Sequence, residues 1–270
     1  MFPGAVADYE RAAYAIIGAP LDATTTFRPG TRFGPHQLRH VAQSFEDFDH
    51  RTGISFTDCD VYDHGDVRPG DDVGEYLEFL RGAVLEYVEQ DTISLLLGGE
   101  HTVTIAGLRA IEPTTFVCLD AHLDLRSSYA DNPLSHATVS HHALNHAEEV
   151  IILGARAGCK AEWDRAAGAD VTAVPPADVG EWVPEFDGDA YLSVDIDAAD
   201  PGFAPGTGTP EPFGLTPSTM HEIVREVAPR AVGFDVVEVN DRDDGQAATL
   251  GAKLLRAFVY AHAAANHDGA

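Results

Sequence analysis

Six short apolar runs constrain this chain more than any other feature of its sequence. They are Tyr14–Gly18, Ile93–Leu97, Thr115–Leu119, Val150–Leu153, Ala190–Val194 and Ala231–Asp235. Each is rich in β-branched or aromatic residues and too short for a buried helix, so each reads as a strand covered on both faces. Segments with helical spacing lie between them, near residues 75–90, 101–111, 138–147, 217–227 and 246–264. Strands alternating with helices predict an α/β fold: a parallel sheet with helices on both sides. No linker, repeat or low-complexity stretch divides residues 1–270, so a single domain is expected. Two loops, Asp22–Pro35 and the proline- and glycine-rich Asp200–Thr216, are longer than simple connections need. In such folds ligands gather at the carboxyl ends of the strands.

Charge narrows the range of partners. The chain carries 44 acidic against 17 basic residues, a formal net charge of -27, and its only lysines are Lys160 and Lys253. Nucleic acid is excluded as a partner, because phosphate binding needs a cationic footprint. The acids are spread through every segment rather than gathered in a tail, which describes a folded protein with an acidic surface. Self-repulsion of that size opposes a compact fold at low salt, so a salt-rich cytoplasm is the expected setting. Cys59, Cys118 and Cys159 form no C-x-x-C pair and read as free thiols in a reducing compartment. The first twenty residues lack the features of a signal peptide, and no apolar stretch of membrane-spanning length is present. The expectation is a cytoplasmic protein acting on a small molecule.

Three of the apolar runs lead into clusters of potential metal ligands. Strand 115–119 enters Asp120-Ala-His122-Leu-Asp124, strand 190–194 enters Asp195-Ile-Asp197, and strand 93–97 enters Gly98-Gly99-Glu100-His101. Ligands at alternate positions of an extended chain point to one side. Three strand ends therefore deliver His101, Asp120, His122, Asp124, Asp195 and Asp197. Four carboxylates cannot share a small site uncompensated. Two divalent cations balance them, and a bridging carboxylate holds such ions about 3.5–4 Å apart. Mixed carboxylate and imidazole donors suit manganese, iron or zinc, and the oxygen-rich set leans toward manganese.

The runs GGEHTVT (98–104), DAHLD (120–124) and SVDIDAADP (193–201) resemble the three signatures of the ureohydrolases, the family of arginases and agmatinases. The likeness spans nearly the whole chain, from FRPGTRFGP (27–35) to FDVVEVN (234–240). PGTGTPEPFG (205–214) is similar to agmatinases in particular, whereas Ala137, Val139 and Phe213 depart from the agmatinase pattern. The resemblance implies a three-layer α/β/α sandwich, a homo-oligomer of three or six subunits, and two Mn(2+) per subunit. By motif, His101 and Asp124 bind one ion, His122 and Asp197 the other, and Asp120 and Asp195 contact both. It further implies hydrolysis of a guanidino group by a hydroxide between the two metals. Asp124 orients the nucleophile and takes its proton, His136 shuttles a proton, and Glu238, just past the last strand, grips the guanidinium. Agmatine, giving putrescine and urea, is the expected substrate. Guanidinobutyrate, arginine, aminopropylagmatine and formiminoglutamate are the alternatives.

Other readings fit less well. A metallophosphoesterase shares D-x-H at a strand end but needs a GNHE-like run, which this sequence lacks. Deacetylases of similar fold use one zinc and fewer carboxylates, and a non-catalytic relative is expected to have lost some of the six ligands. His36, His40, His50, His64, His221, His262 and His267 match no signature and read as surface or packing residues.

Overall fold

The computed structural model describes residues 1–267; the side chain of His267, and with it the reading of that residue, lies outside the described residues. Among the described residues there are ten strands: β1 (Tyr14–Ala19), β2 (Phe48–Asp49), β3 (Ile54–Ser55), β4 (Val61–Asp66), β5 (Ile93–Gly98), β6 (Thr115–Leu119), β7 (Glu149–Leu153), β8 (Val171–Val174), β9 (Ala190–Asp195) and β10 (Ala231–Val237). The helices are α1 (Gly34–Val41), α2 (Val73–Val88), α3 (Thr104–Ile111), α4 (Val139–Ala143), α5 (Lys160–Ala166), α6 (Pro217–Val227) and α7 (Gln246–His267). Eight strands form one sheet in the order β4-β1-β5-β10-β9-β6-β7-β8, every pair parallel. β2 and β3 make a separate antiparallel ribbon.

The alternation of the strand side chains builds two apolar layers. On one face Ile16, Leu95, Leu97, Leu192, Val194, Phe234 and Val236 pack with Leu38 of α1, Met220 and Val224 of α6, and Leu255 and Phe258 of α7. On the other face Ala15, Ile17, Leu96, Phe116, Ile152 and Tyr191 pack with Tyr76, Leu77 and Leu80 of α2 and with Ile105 and Leu108 of α3. The result is a three-layer α/β/α sandwich. Burying a large apolar side chain fully contributes roughly 1.5–3 kcal/mol, so these two layers are the main source of cohesion.

The six expected strands all form. β4 and β8 were not visible in the sequence because they are the sheet edges: β4 (VYDHGD) and β8 (VTAV) are each only partly buried, so neither needs a continuous apolar run. Local chemistry sets the helix limits. Asp72 caps α2 by accepting from the Glu75 N–H at 2.8 Å, and Thr216 caps α6, with Pro217 in the first turn. The helix expected over 138–147 is shorter, Val139–Ala143, and follows a 3-10 turn over His136–Thr138.

For function, the strand order is what matters. β5, β10, β9 and β6 are consecutive at the centre of the sheet, and their carboxyl ends carry His101, Glu238, Asp195 with Asp197, and Asp120 through Asp124. Segments far apart in sequence thus open at one edge of the sheet.

Candidate metal and guanidino site

The six predicted ligands converge, and five of them are almost fully buried; His122 is half-buried. His101 Nδ1 lies 3.1 Å from Asp124 Oδ2, 3.2 Å from Asp120 Oδ2 and 3.6 Å from Asp195 Oδ2. His122 Nδ1 lies 3.0 Å from Asp197 Oδ2 and 3.6 Å from Asp120 Oδ1. Asp120 therefore turns one oxygen toward each histidine. Asp195 turns only Oδ2 into the cluster, because its Oδ1 accepts the Asp197 N–H at 2.9 Å. Asp120, His122 and Asp197 offer donor atoms within 4.8 Å of one another, as do His101, Cys118 and Asp120. Burial pushes the Cys118 thiol up, so it stays protonated and is a poor ligand.

The charge state of the cluster shows what it lacks. Burial, followed by the nearby Asp120, pushes Asp124 up to about 6, and burial with Asp197 and Asp120 drives Asp195 well above the carboxylate range. Burial acts the same way on Asp120, but hydrogen bonds from His101 and His122 overcome it and hold that carboxyl low. Burial opposes a charge on His122, yet Asp197 and Asp120 raise its pKa far above the imidazole range. The carboxylates draw protons in because positive charge is short. Divalent cations on the same donor atoms would supply it, so the residues present fit metal.

A layer behind the ligands was not foreseen. His101 Nε2 faces Ser193 Oγ at 3.1 Å, and Ser193 donates to Asp235 at 2.6 Å. Thr104 and Tyr191 donate to the other oxygen of Asp235, at 2.8 and 2.9 Å. With Ser193 donating onward, its oxygen accepts the His101 Nε2–H, and Nδ1 is left to face the carboxylates. The sequence does hold one signal for this layer: Asp235 is an acid inside an apolar strand, and a fully buried carboxylate needs partners.

Glu238 follows β10 with φ +60°, and Asp124 has φ +50°. Non-glycine residues held there cost of order 1–3 kcal/mol each, a strain that clusters at functional sites. Glu238 is 1% exposed. Its Oε1 accepts from the His101 N–H at 2.9 Å and lies 3.3 Å from His136 Nδ1, while Oε2 has no partner among the described residues. Burial works against a charged His136, but Glu238, with Asp124 and Glu100 beyond it, pushes the imidazole up to about 9. His136 lines a cavity of about 320 Å³ together with His122, Asp124, Asp195, Thr209, Arg126 and Glu162. Arg126 pairs with Glu162 at 3.1 Å. The long 200–216 loop that carries Thr209 is held by Arg156, which donates to the carbonyls of Glu211 and Pro212. The neighbouring His141, His142 and His146 do not line this cavity, and neither do His36, His40, His50, His64, His221 and His262.

The sequence profile of the arginase family matches residues 12–260. The chain belongs to the arginase family. It is 34% identical over 265 residues to the N(1)-aminopropylagmatine ureohydrolase of Thermococcus kodakarensis, an alignment covering 91% of this chain and 89% of the relative. To the agmatinase of Pyrococcus horikoshii it is 31% identical over 258 residues, covering 92% of this chain and 91% of the relative. Its fold superposes on the crystal structure of agmatine ureohydrolase from Thermoplasma volcanium with a TM-score of 0.94 and 31% identity, covering 100% of this chain and 96% of that one. The arginase-family fold expected from the signatures is therefore present. Among the described residues no helix is long and apolar enough to cross a membrane.

Proposed function

We propose that this member of the arginase family hydrolyses agmatine to putrescine and urea, using two manganese ions per subunit. The observation that carries the reading is the unpartnered, buried Oε2 of Glu238 next to the six-ligand cluster. A buried carboxylate oxygen without a donor is costly, and a planar guanidinium is the cation that best meets it, through paired N–H groups. The names of the relatives point the same way. His101 and Asp124 are assigned to one ion, His122 and Asp197 to the other, and Asp120 and Asp195 to both. The two-sided stance of Asp120 supports that division. Ions held by these residues would supply Lewis acidity, lowering the pKa of a water so that it could attack at neutral pH.

The chain's own residues do the rest. Glu238 holds the guanidinium and fixes its carbon beside the cluster. Asp124, buried against His101 and lining the cavity, orients the attacking water and accepts its proton. The tetrahedral carbon can expel an amine only if that nitrogen is protonated. His136, whose imidazole the neighbouring Glu238 favours in its charged form, is assigned to that delivery. Residues 1–270 are read as one ureohydrolase domain, working as a trimer or hexamer in a salt-rich cytoplasm and feeding polyamine synthesis.

The test is urea release in molar KCl with added manganese from agmatine, arginine, guanidinobutyrate and aminopropylagmatine, with formamide release from formiminoglutamate read separately. Turnover of agmatine far above the others is expected. A different preferred member moves the substrate and keeps the chemistry, and no product from any of them overturns the guanidino reading.

A further inference from the structure

His136 is held at both ring nitrogens. Nδ1 faces Glu238 at 3.3 Å, and Nε2 faces Thr26 Oγ1 at 3.0 Å. Its own backbone N–H donates to Thr24 Oγ1 at 3.1 Å. The loop carrying these threonines is tied to Glu100, a fully buried carboxylate immediately before His101. Glu100 accepts from the Thr24 N–H and the Thr24 hydroxyl, each at 2.7 Å, and from the Thr25 hydroxyl at 3.2 Å. Thr26 lies one residue beyond this anchor. It is exposed and lines the cavity together with Asp124, His136 and Thr209.

This geometry divides the work of the imidazole. Nδ1 is the nitrogen nearest the carboxylate assigned to the guanidinium, 3.3 Å away, and Nε2, hydrogen-bonded to a residue of the cavity wall, is the nitrogen available to exchange a proton with the cavity. The Thr26 hydroxyl stands on that nitrogen. A hydroxyl can accept one proton while it donates another.

We propose that Thr26 is a catalytic residue, the proton relay between His136 Nε2 and the leaving amine. This rests on the guanidino hydrolysis proposed above. As the bond from the tetrahedral carbon to the leaving nitrogen breaks, the electron pair stays on nitrogen, which takes the proton from the Thr26 hydroxyl. Thr26 Oγ1 takes the proton from His136 Nε2 in the same step. The hydroxyl is regenerated, His136 is left neutral, and the amine leaves uncharged.

The test compares Thr26→Val, which keeps the shape and removes the hydroxyl, with Thr26→Ser, which restores it; Thr26→Ala removes the hydroxyl without the β-branch. Steady-state kcat and KM are measured on the best guanidine of the substrate panel and on its oxyguanidine analogue. In that analogue oxygen replaces the CH2 beside the guanidino group, and the weakly basic oxyamine leaves with less need of a proton. Thr26→Val and Thr26→Ala should lower kcat on the guanidine by about 10²-fold, with KM little changed and a much smaller loss on the oxyguanidine. Thr26→Ser should recover most of the rate. Equal losses on both substrates, a change confined to KM, or full kcat in Thr26→Val each overturn the relay alone. No turnover of either substrate by the unmodified enzyme overturns the guanidino reading and the relay with it.

Discussion

Glu238 carries the most specific chemical claim. One oxygen accepts the His101 N–H, the other has no partner, and the backbone is held in the left-handed region. Glu238→Gln keeps an acceptor for the His101 N–H and nearly the same shape but removes the charge. Two metals per subunit should still bind, while kcat/KM for the guanidine falls roughly 10²- to 10³-fold, the usual cost of losing one partner of a buried charge pair. Metal content by elemental analysis and steady-state kinetics check this; unchanged kcat/KM would remove Glu238 as the anchor. The convergence of Glu238 and the six candidate ligands was legible in the sequence because each sits at or just past a strand end within a short signature. The contacts of Thr26 and Ser193 were not. Thr26 reaches His136 across 110 positions, and although Ser193 opens the run SVDIDAADP, nothing in that run says that its hydroxyl faces His101.

Among the elements, the crossing of two strand ends shows how backbone, rather than side chains, fixes the site. Gly99 follows β5, where its N–H donates to Ala19 O at 2.8 Å and the next N–H, of Glu100, donates to Leu21 O at 2.7 Å. A Cβ on Gly99 would lie 1.9 Å from Leu21 O. The doublet Gly98-Gly99 lets the loop after β1 pass against the segment that carries Glu100 and His101. Gly99→Ala should therefore cost about 2 kcal/mol or more, as overpacking does, and disturb His101. Gly82, in the middle of α2, has nothing within 4 Å of its Cβ position. The same change there should stabilise by about 0.5–1 kcal/mol, because alanine loses less backbone freedom in a helix. Thermal melts of the two variants should shift in opposite directions, and a common direction would sink the argument. The elements that escaped the sequence reading differ for a physical reason. α1 and α5 have eight and seven residues, with polar positions on much of their surface, and the edge strands β4 and β8 bury too little to show a pattern.

For the whole molecule, the question is whether attraction between fixed pairs or repulsion among unpaired acids dominates. Several arginines are already committed: Arg39 to Asp63 and Asp66, Arg51 to Glu222, Arg165 to Asp170. The exposed pairs of Arg51 and Arg165 contribute at most about 1 kcal/mol each, and salt weakens them, whereas the buried pair of Arg39 with Asp63 is screened much less. With 44 acids and 17 bases, even complete pairing leaves 27 acids without a cation. Their repulsion acts over the screening length, about 10 Å at 0.1 M salt and roughly 3 Å at 1 M. Salt therefore removes more repulsion than attraction. The melting temperature should climb steeply as KCl is raised from about 0.1 M and flatten near 1 M, where screening is already shorter than the spacing of neighbouring charges. A melt at each concentration, with the metals held constant, measures this. A continued rise beyond that point would add specific ion binding to the screening account. Greatest stability at low salt would mean that the fixed pairs outweigh the excess acids, and the salt-rich setting inferred from the composition would then fall.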